Sequence, residues 1–198
     1  MTATTVTVHR RLTAPQQERR ARVLAAATEL AAEGGYDAVV MKDVAERSGV
    51  ALATMYRYFG SKDHLLAEVL VAWGAALSER LDQAPPEGAT PTDRVVNVLR
   101  RAARAVELQP GMAEATTAAL LSRDPGVVES RAGFTAMMRT WLDRALAGTD
   151  VDDRDAVVEV LEHVFFSTMV SVVTRRRDPR EVGDQLERAT RLLLAPRT

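Results

Sequence analysis

The chain of 198 residues contains no cysteine, which removes disulfides, thiolate nucleophiles and every cysteine-ligated zinc or iron–sulfur site. Histidine is nearly as scarce: His9, His64 and His163 lie far apart and form no metal-ligand pair. Aromatic residues make up 5% of the chain, and Lys42 and Lys62 are the only lysines among its 26 basic residues. Uninterrupted apolar runs are a handful of residues long, so no bilayer-spanning segment is expected. Met1 to Val8 are Thr-rich, without a basic patch or an apolar core, so a signal peptide is not expected either. The formal charge of −1 offers, on its face, nothing to a nucleic acid.

What the chain does have is 46% hydrophobic and 27% charged residues, the balance of a folded soluble domain, and 32 alanines that favour helix. Helical spacing with caps and breakers recurs along it. Thr13-Ala14-Pro15-Gln16 reads as a capping box before a stripe of Val23, Leu24, Ala27, Leu30 and Ala31, which Gly34-Gly35 stops. Short helices are expected over about Met41 to Ser48, ended by Gly49, and Leu52 to Phe59, ended by Gly60. Ser61 then opens a long helix that runs towards the break at Pro85-Pro86-Glu87-Gly88. Thr90-Pro91, Pro110 and Asp124-Pro125 start three more. Asp152 or Asp153 caps a long apolar one with Arg175, Arg176 and Arg177 in its last turn, and Asp178-Pro179 starts the final helix. The reading is all-α, with nine helices; the only strand-like run, Ala38 to Met41, is too short.

The segment from Gln16 to Lys62 pairs one ordinary helix with two of about eight residues, too short to stand without tertiary packing. Ser48-Gly49-Val50-Ala51 has the length and the glycine of the turn in a helix-turn-helix. Val44, Ala45, Val50, Met55 and Phe59 supply its core against Leu24, Ala27 and Leu30. Leu52, Ala53, Thr54, Tyr56, Arg57 and Tyr58 then project around the third helix, with Lys62 at the next helix start. Small side chains beside hydroxyls suit close approach to a DNA groove, where Ala or Thr can meet a thymine methyl and hydroxyls or Lys can bind phosphate.

The run Gly49 to Lys62, followed by His64-Leu65-Leu66 and preceded by Gly35-Tyr36 and Met41 to Arg47, resembles the DNA-binding signature of the TetR family of bacterial repressors. The resemblance covers about a quarter of the chain. It implies phosphate contacts from Tyr56 and Lys62, and base or near-base contacts from Lys42, Leu52, Ala53, Thr54 and Tyr58. Two departures stand out: Val40 and Ala51 occupy N-cap positions where the family often has Thr or Ser, at a cost of about 1 kcal/mol each.

Charge is also unevenly distributed. Residues 1–64 hold 9 basic and 7 acidic side chains, and residues 65–198 hold 17 and 20. The chain then divides into a flexible basic arm over 1–14, able to reach phosphates or an adjacent minor groove, a helix-turn-helix domain over 15–62, and a ligand-binding and dimerisation domain over 63–198.

In the last two helices apolar residues wrap around more than one face, beyond what a monomer's surface helix needs. The resemblance implies that they pair with their symmetry mates, which puts Val157, Leu161, Val164, Leu186, Ala189 and Leu193 at a dimer interface. A two-fold homodimer sets two reading helices about 34–36 Å apart, on a pseudo-palindromic double-stranded operator. It also implies an effector cavity, for which Trp73, Met112, Thr116, Leu120, Phe134, Met137, Met138, Trp141, Phe165 and Met169 are the adaptable candidates. Arg100, Arg101, Arg104 and Arg175 to Arg177 could meet an acidic ligand group, although solvated faces and helix-end charge account for them.

Tyr56 to Phe59, Ala89-Thr90-Pro91 and Thr174-Arg175-Arg176 further resemble actinobacterial repressors of sterol catabolism, which implies a steroid or fatty acyl-CoA-like effector. The expected function is a cytoplasmic, ligand-responsive repressor released from DNA by a small apolar or acyl-CoA-type molecule. No cofactor, metal or membrane partner is expected. A DNA-binding dimer without an effector is the alternative. A helical small-molecule enzyme finds no nucleophile or acid–base pair to carry it.

Overall fold

The computed structural model describes residues 12–195. The basic arm, with Arg10 and Arg11, falls almost wholly outside the described residues. Nine α-helices are found among the described residues, and no strand.

The first helix, α1 (Ala14–Ala38), opens on the expected capping box: the Thr13 N–H donates to Gln16 Oε1 at 2.8 Å. Gly34 and Gly35 leave helical backbone geometry and kink it near its end. α2 (Met41–Ser48) and α3 (Leu52–Tyr58) follow, both without a side-chain N-cap, because Val40 and Ala51 carry no acceptor. Between them Gly49 is left-handed at φ 63°, a conformation that costs an L-residue about 1 kcal/mol. The two short helices hold because Val44, Val50, Met55 and Phe59 are buried against Val23, Ala27 and Leu30 of α1.

Ser61 caps α4 (Lys62–Gln83) by accepting from the His64 N–H at 3.0 Å. The first turns of α4 belong to the head: Leu65, Leu66 and Val69 share its core, and so do Met112, Ala115 and Ala119 of α6 (Pro110–Leu120). The head core therefore continues past residue 62 into the body. The far half of α4 runs into a second core built with α5 (Pro91–Leu108), α7 (Pro125–Ala145), α8 (Arg154–Val173) and α9 (Val182–Leu193).

Three local expectations change. Asp153 holds the N-cap position of α8 but is left-handed at φ 50° and accepts no cap hydrogen bond. Arg175 to Arg177 lie beyond the last turn of α8, which ends at Val173, and Arg175 sits at φ 55°. α9 is preceded by a 3-10 turn over Pro179–Glu181, capped by Asp178. The absence of any bilayer-length apolar segment also fails as stated: α8 is long and apolar enough to cross a membrane by length and composition, with 33% of that stretch buried. Single charges such as Glu159 and Glu162 interrupt every run, so the run length missed what the average over 18 residues shows.

Candidate nucleic-acid interface and cavity

Most of the candidate DNA-contacting residues are at least partly exposed on α2, α3 and the start of α4. Lys42, Leu52, Ala53 and Tyr56 are exposed, with Leu52 at 39% and Tyr56 at 48%. Thr54 and Tyr58 are half-buried and border a cleft between α3 and the start of α1, together with Thr13, Gln16, Arg19 and Arg57. The Tyr58 ring meets the Phe59 edge, with centroids 6.3 Å apart, so Tyr58 serves the core with its ring and the surface with its rim. Arg19 and Arg57 add positive charge to that cleft. The composition of the α3 run drew attention to Arg57, but only the packing of α1 on α3 brings Arg19 beside it.

Lys62 is held rather than free. Its ammonium lies 3.7 Å from the centroid of the Tyr36 ring, and the Tyr36 hydroxyl donates to Asp63 at 2.6 Å. Burial pulls the Lys62 pKa down against the pull of Asp37 and Asp63. Burial, then the bond to Asp63, pushes the Tyr36 phenol up to about 12. Arg47 takes no such position: it pairs with Glu33 at 2.5 Å along the back of α1.

A cavity of about 260 Å³ opens within the body between α4, α5, α6, α7 and α8. Trp73, Thr116, Leu120, Phe134, Met138, Trp141, Phe165 and Met169 line it. Met112 and Met137 do not. Met112 is fully buried in the head core, and Met137 packs its sulfur where a Cβ on Gly74 would lie. The Trp141 indole donates to Ser78 Oγ at 2.7 Å and Thr116 Oγ1 to the Met112 carbonyl at 2.9 Å, so these polar atoms are already satisfied. Arg80, Arg131, Glu162 and His163 also reach the wall, and none of them was among the expected cavity residues; Glu162, paired by spacing with Glu159, reads in the sequence as part of a solvated face. The marked arginines of α5 are engaged elsewhere: Arg100 with Asp184 and Glu187, Arg104 with Glu107, and Arg101 with the Ala84 carbonyl; Arg177 pairs with Glu181.

A chain of contacts runs from this wall to the reading helix. Ser130, beside Arg131 on α7, donates to Glu68 Oε1 at 2.6 Å; the other Glu68 oxygen pairs with Arg20 of α1. The Arg20 guanidinium lies 5.2 Å from the centroid of Phe59, which meets His64 edge-on at 5.8 Å. At the start of α7, Asp124 caps Gly126 at 2.7 Å and takes a hydrogen bond from Ser61, the cap of α4, which together hold its carboxyl below the usual range.

The family model for bacterial regulatory proteins of the tetR family matches residues 23–69, and that for the tetracyclin repressor-like C-terminal domain matches residues 88–193. The chain belongs to the TetR family. A relative in Rhodococcus jostii, the HTH-type transcriptional repressor KstR, is 38% identical over 182 residues, which cover 90% of this chain and 84% of that protein. A TetR transcriptional regulator from Rhodococcus sp. RHA1 superposes with a TM-score of 0.80 at 29% identity, covering 93% of this chain and all of that one. The Thermus thermophilus FadR, solved with lauroyl-CoA, shares the fold at 23% identity and a TM-score of 0.69, covering 88% of this chain and 93% of that one. The chain is thus a TetR-type transcriptional regulator, and the relatives named here are regulators, not enzymes.

The outer faces of this TetR chain differ from the expected dimer set. Val157, Leu161 and Leu186 are buried in the protomer's own core. Val164 and Ala189 are half-buried and Leu193 is 36% exposed; Val160 and Leu192 join them at 39% and 75%. Apolar residues all around α8 leave its periodicity unable to say which face turns inward.

Proposed function

We propose that this regulator is a homodimeric repressor that reads a pseudo-palindromic DNA operator and is released by an apolar or acyl-CoA-type effector. The cavity carries the reading, because α4 both walls it, through Leu70, Trp73, Gly74 and Leu77, and contributes Leu65, Leu66 and Val69 to the core beneath the reading helix. A molecule that wedges α4 and α7 apart shifts the head with them. The Ser130–Glu68–Arg20 chain is the second route for the same displacement.

On the head, Tyr56 and Lys62 meet phosphates, while Lys42, Leu52, Ala53, Thr54 and Tyr58 approach base edges. The Tyr36 ring aims Lys62 and reduces the freedom it loses on binding. The wall supplies a largely apolar bed, and Arg80, which makes no ion pair among the described residues, suits an anionic end of the effector. The lauroyl-CoA held by the Thermus relative, and the sequence resemblance to sterol-catabolism repressors, support a fatty acyl or steroid thioester. A dimer built on the outer faces of α8 and α9 covers Val160, Ala189, Leu192 and Leu193.

Thermal unfolding across a panel of fatty acyl-CoA esters and steroids tests the effector. A binder at a hundred times its Kd stabilises the protein by about 2.7 kcal/mol. Ala105→Trp, which sends an indole into the cavity, abolishes that gain. Stabilisation that survives Ala105→Trp places the effector elsewhere, and no stabilisation by any compound favours a DNA-binding dimer without one.

A further inference from the structure

The cleft between the start of α1 and α3 carries positive charge that the protein leaves uncompensated. It encloses about 610 Å³ and is lined by Arg19 and Arg57, with no carboxylate on its walls. Both arginines are exposed, and neither makes an ion pair or a side-chain hydrogen bond among the described residues. Two other arginines of the head, by contrast, are spent within the fold: Arg20 on Glu68 and Arg47 on Glu33. Residues 1–11, which precede the cleft in the chain, contain no Asp or Glu to neutralise it. Two free cations in an acid-free cleft favour an anion from outside the protein.

The surroundings indicate which anion. Thr54 and Tyr58, proposed above to approach base edges, also line the cleft, so it adjoins the reading surface on the side of α1. What borders the bases of a groove is the sugar–phosphate backbone, and guanidinium groups match phosphate oxygens with their forked donors. Gly49 and Ala51 line the cleft as well, and their small size lets a backbone come close. The helices that carry the two arginines are held in register. The Thr13–Gln16 capping box fixes the start of α1. Arg20, next to Arg19, ties α1 to Glu68 and lies 5.2 Å from the ring centroid of Phe59, the C-cap of α3.

We propose that Arg19 and Arg57, one from each helix, clamp the sugar–phosphate backbone of DNA beside the bases that α3 reads. The clamp positions the head without reading sequence, and it brings α1 into the interface. Neither arginine is among the contacts that the family resemblance implies. The inference rests on the reading of the head as a DNA-binding surface.

The full chain is titrated at several salt concentrations with two labelled duplexes of equal length, the one it selects from random sequence and an unrelated one. Replacing both residues, Arg19→Gln with Arg57→Gln, is expected to weaken both duplexes alike, by about tenfold at 0.15 M salt. The slope of log K against log salt falls by about one to two, and the ratio of the two affinities keeps its wild-type value. Arg176→Gln with Arg180→Gln removes the same charge from two exposed sites between α8 and α9 and leaves the slope unchanged. Wild-type affinity and slope in the Arg19/Arg57 variant overturn the inference while leaving the DNA reading of the head intact. An equal fall in the Arg176/Arg180 variant overturns it too, since net charge rather than the cleft then carries the effect. A loss confined to the selected duplex makes the arginines base readers and overturns the backbone assignment. If the wild-type chain binds neither duplex, the DNA reading of the head falls and the inference with it.

Discussion

Lys62 shows how one side chain can be chosen by two demands at once. In the proposed contact its ammonium reaches a phosphate, and a flexible lysine loses rotamer freedom on doing so; resting on the Tyr36 ring lowers that cost in advance. Asp63 fixes the ring in turn through the Tyr36 hydroxyl. Lys62→Ala is therefore expected to weaken DNA binding roughly equally across sequences and to reduce the slope of log K against log salt by about one. Tyr36→Leu keeps the charge but removes its platform, so affinity falls while the salt slope stays near the wild-type value. Titrations at several salt concentrations separate the two. An unchanged slope for Lys62→Ala removes Lys62 from the phosphate contacts.

At the scale of helices, close backbone packing joins head to body. Gly111 at the start of α6 lies against α1 so tightly that a Cβ there would meet the Ala31 carbonyl oxygen at 2.7 Å and the Ala32 carbonyl oxygen at 3.2 Å. Both are backbone atoms and cannot swing aside. Gly111→Ala is expected to cost about 1–3 kcal/mol and lower the Tm by several degrees. Gly133→Ala, with nothing within 4 Å, should leave stability unchanged or raise it slightly. Calorimetry on the two variants checks the contrast, and equal Tm values would contradict the packing argument.

The helix boundaries were largely legible because the caps are local chemistry. Thr13, Ser61, Thr90 and Asp124 each sit where their side chains meet the first-turn N–H groups or close a capping box. Eight of the ten cavity candidates also reach the wall, since adaptable apolar residues gather where the core is loosest. What local pattern could not convey was direction. Met112 and Met137 carry the same chemistry as Met138 but face other partners, and Val157 and Leu161 turn inward on α8, where no single polar face orients them, while Leu186 lies on the buried apolar face of α9. Arg80 and Arg131 carry no local signal, and Glu162 beside Glu159 reads as a solvated face, because three different helices bring them to one wall.

For the whole molecule, the near-zero charge turns out to be a difference between unlike parts. The first 64 residues are net basic and the remaining 134 net acidic, so one molecule can present a DNA-binding head on a body that DNA does not attract. In the proposed dimer each head covers one half-site, and two-fold pairing supplies the second. Leu192, at 75% exposure on α9, is the most exposed large apolar residue among those described. Leu192→Asp is expected to shift the protein from dimer to monomer in sedimentation velocity and to weaken operator binding by at least tenfold, with little change in helix content. A variant that remains dimeric would move the interface away from α9.

The most direct test of the account is DNA binding by the full chain with and without effector. A duplex selected by the protein from random sequence is labelled and titrated, and fluorescence anisotropy is read in the absence and presence of saturating acyl-CoA or steroid compounds. The account predicts a two-fold-symmetric selected site, two protomers on each duplex, and at least a tenfold loss of affinity with the compound that also stabilises the protein to heat. Selection that enriches no sequence, or an affinity that no cavity-binding compound alters, would contradict it.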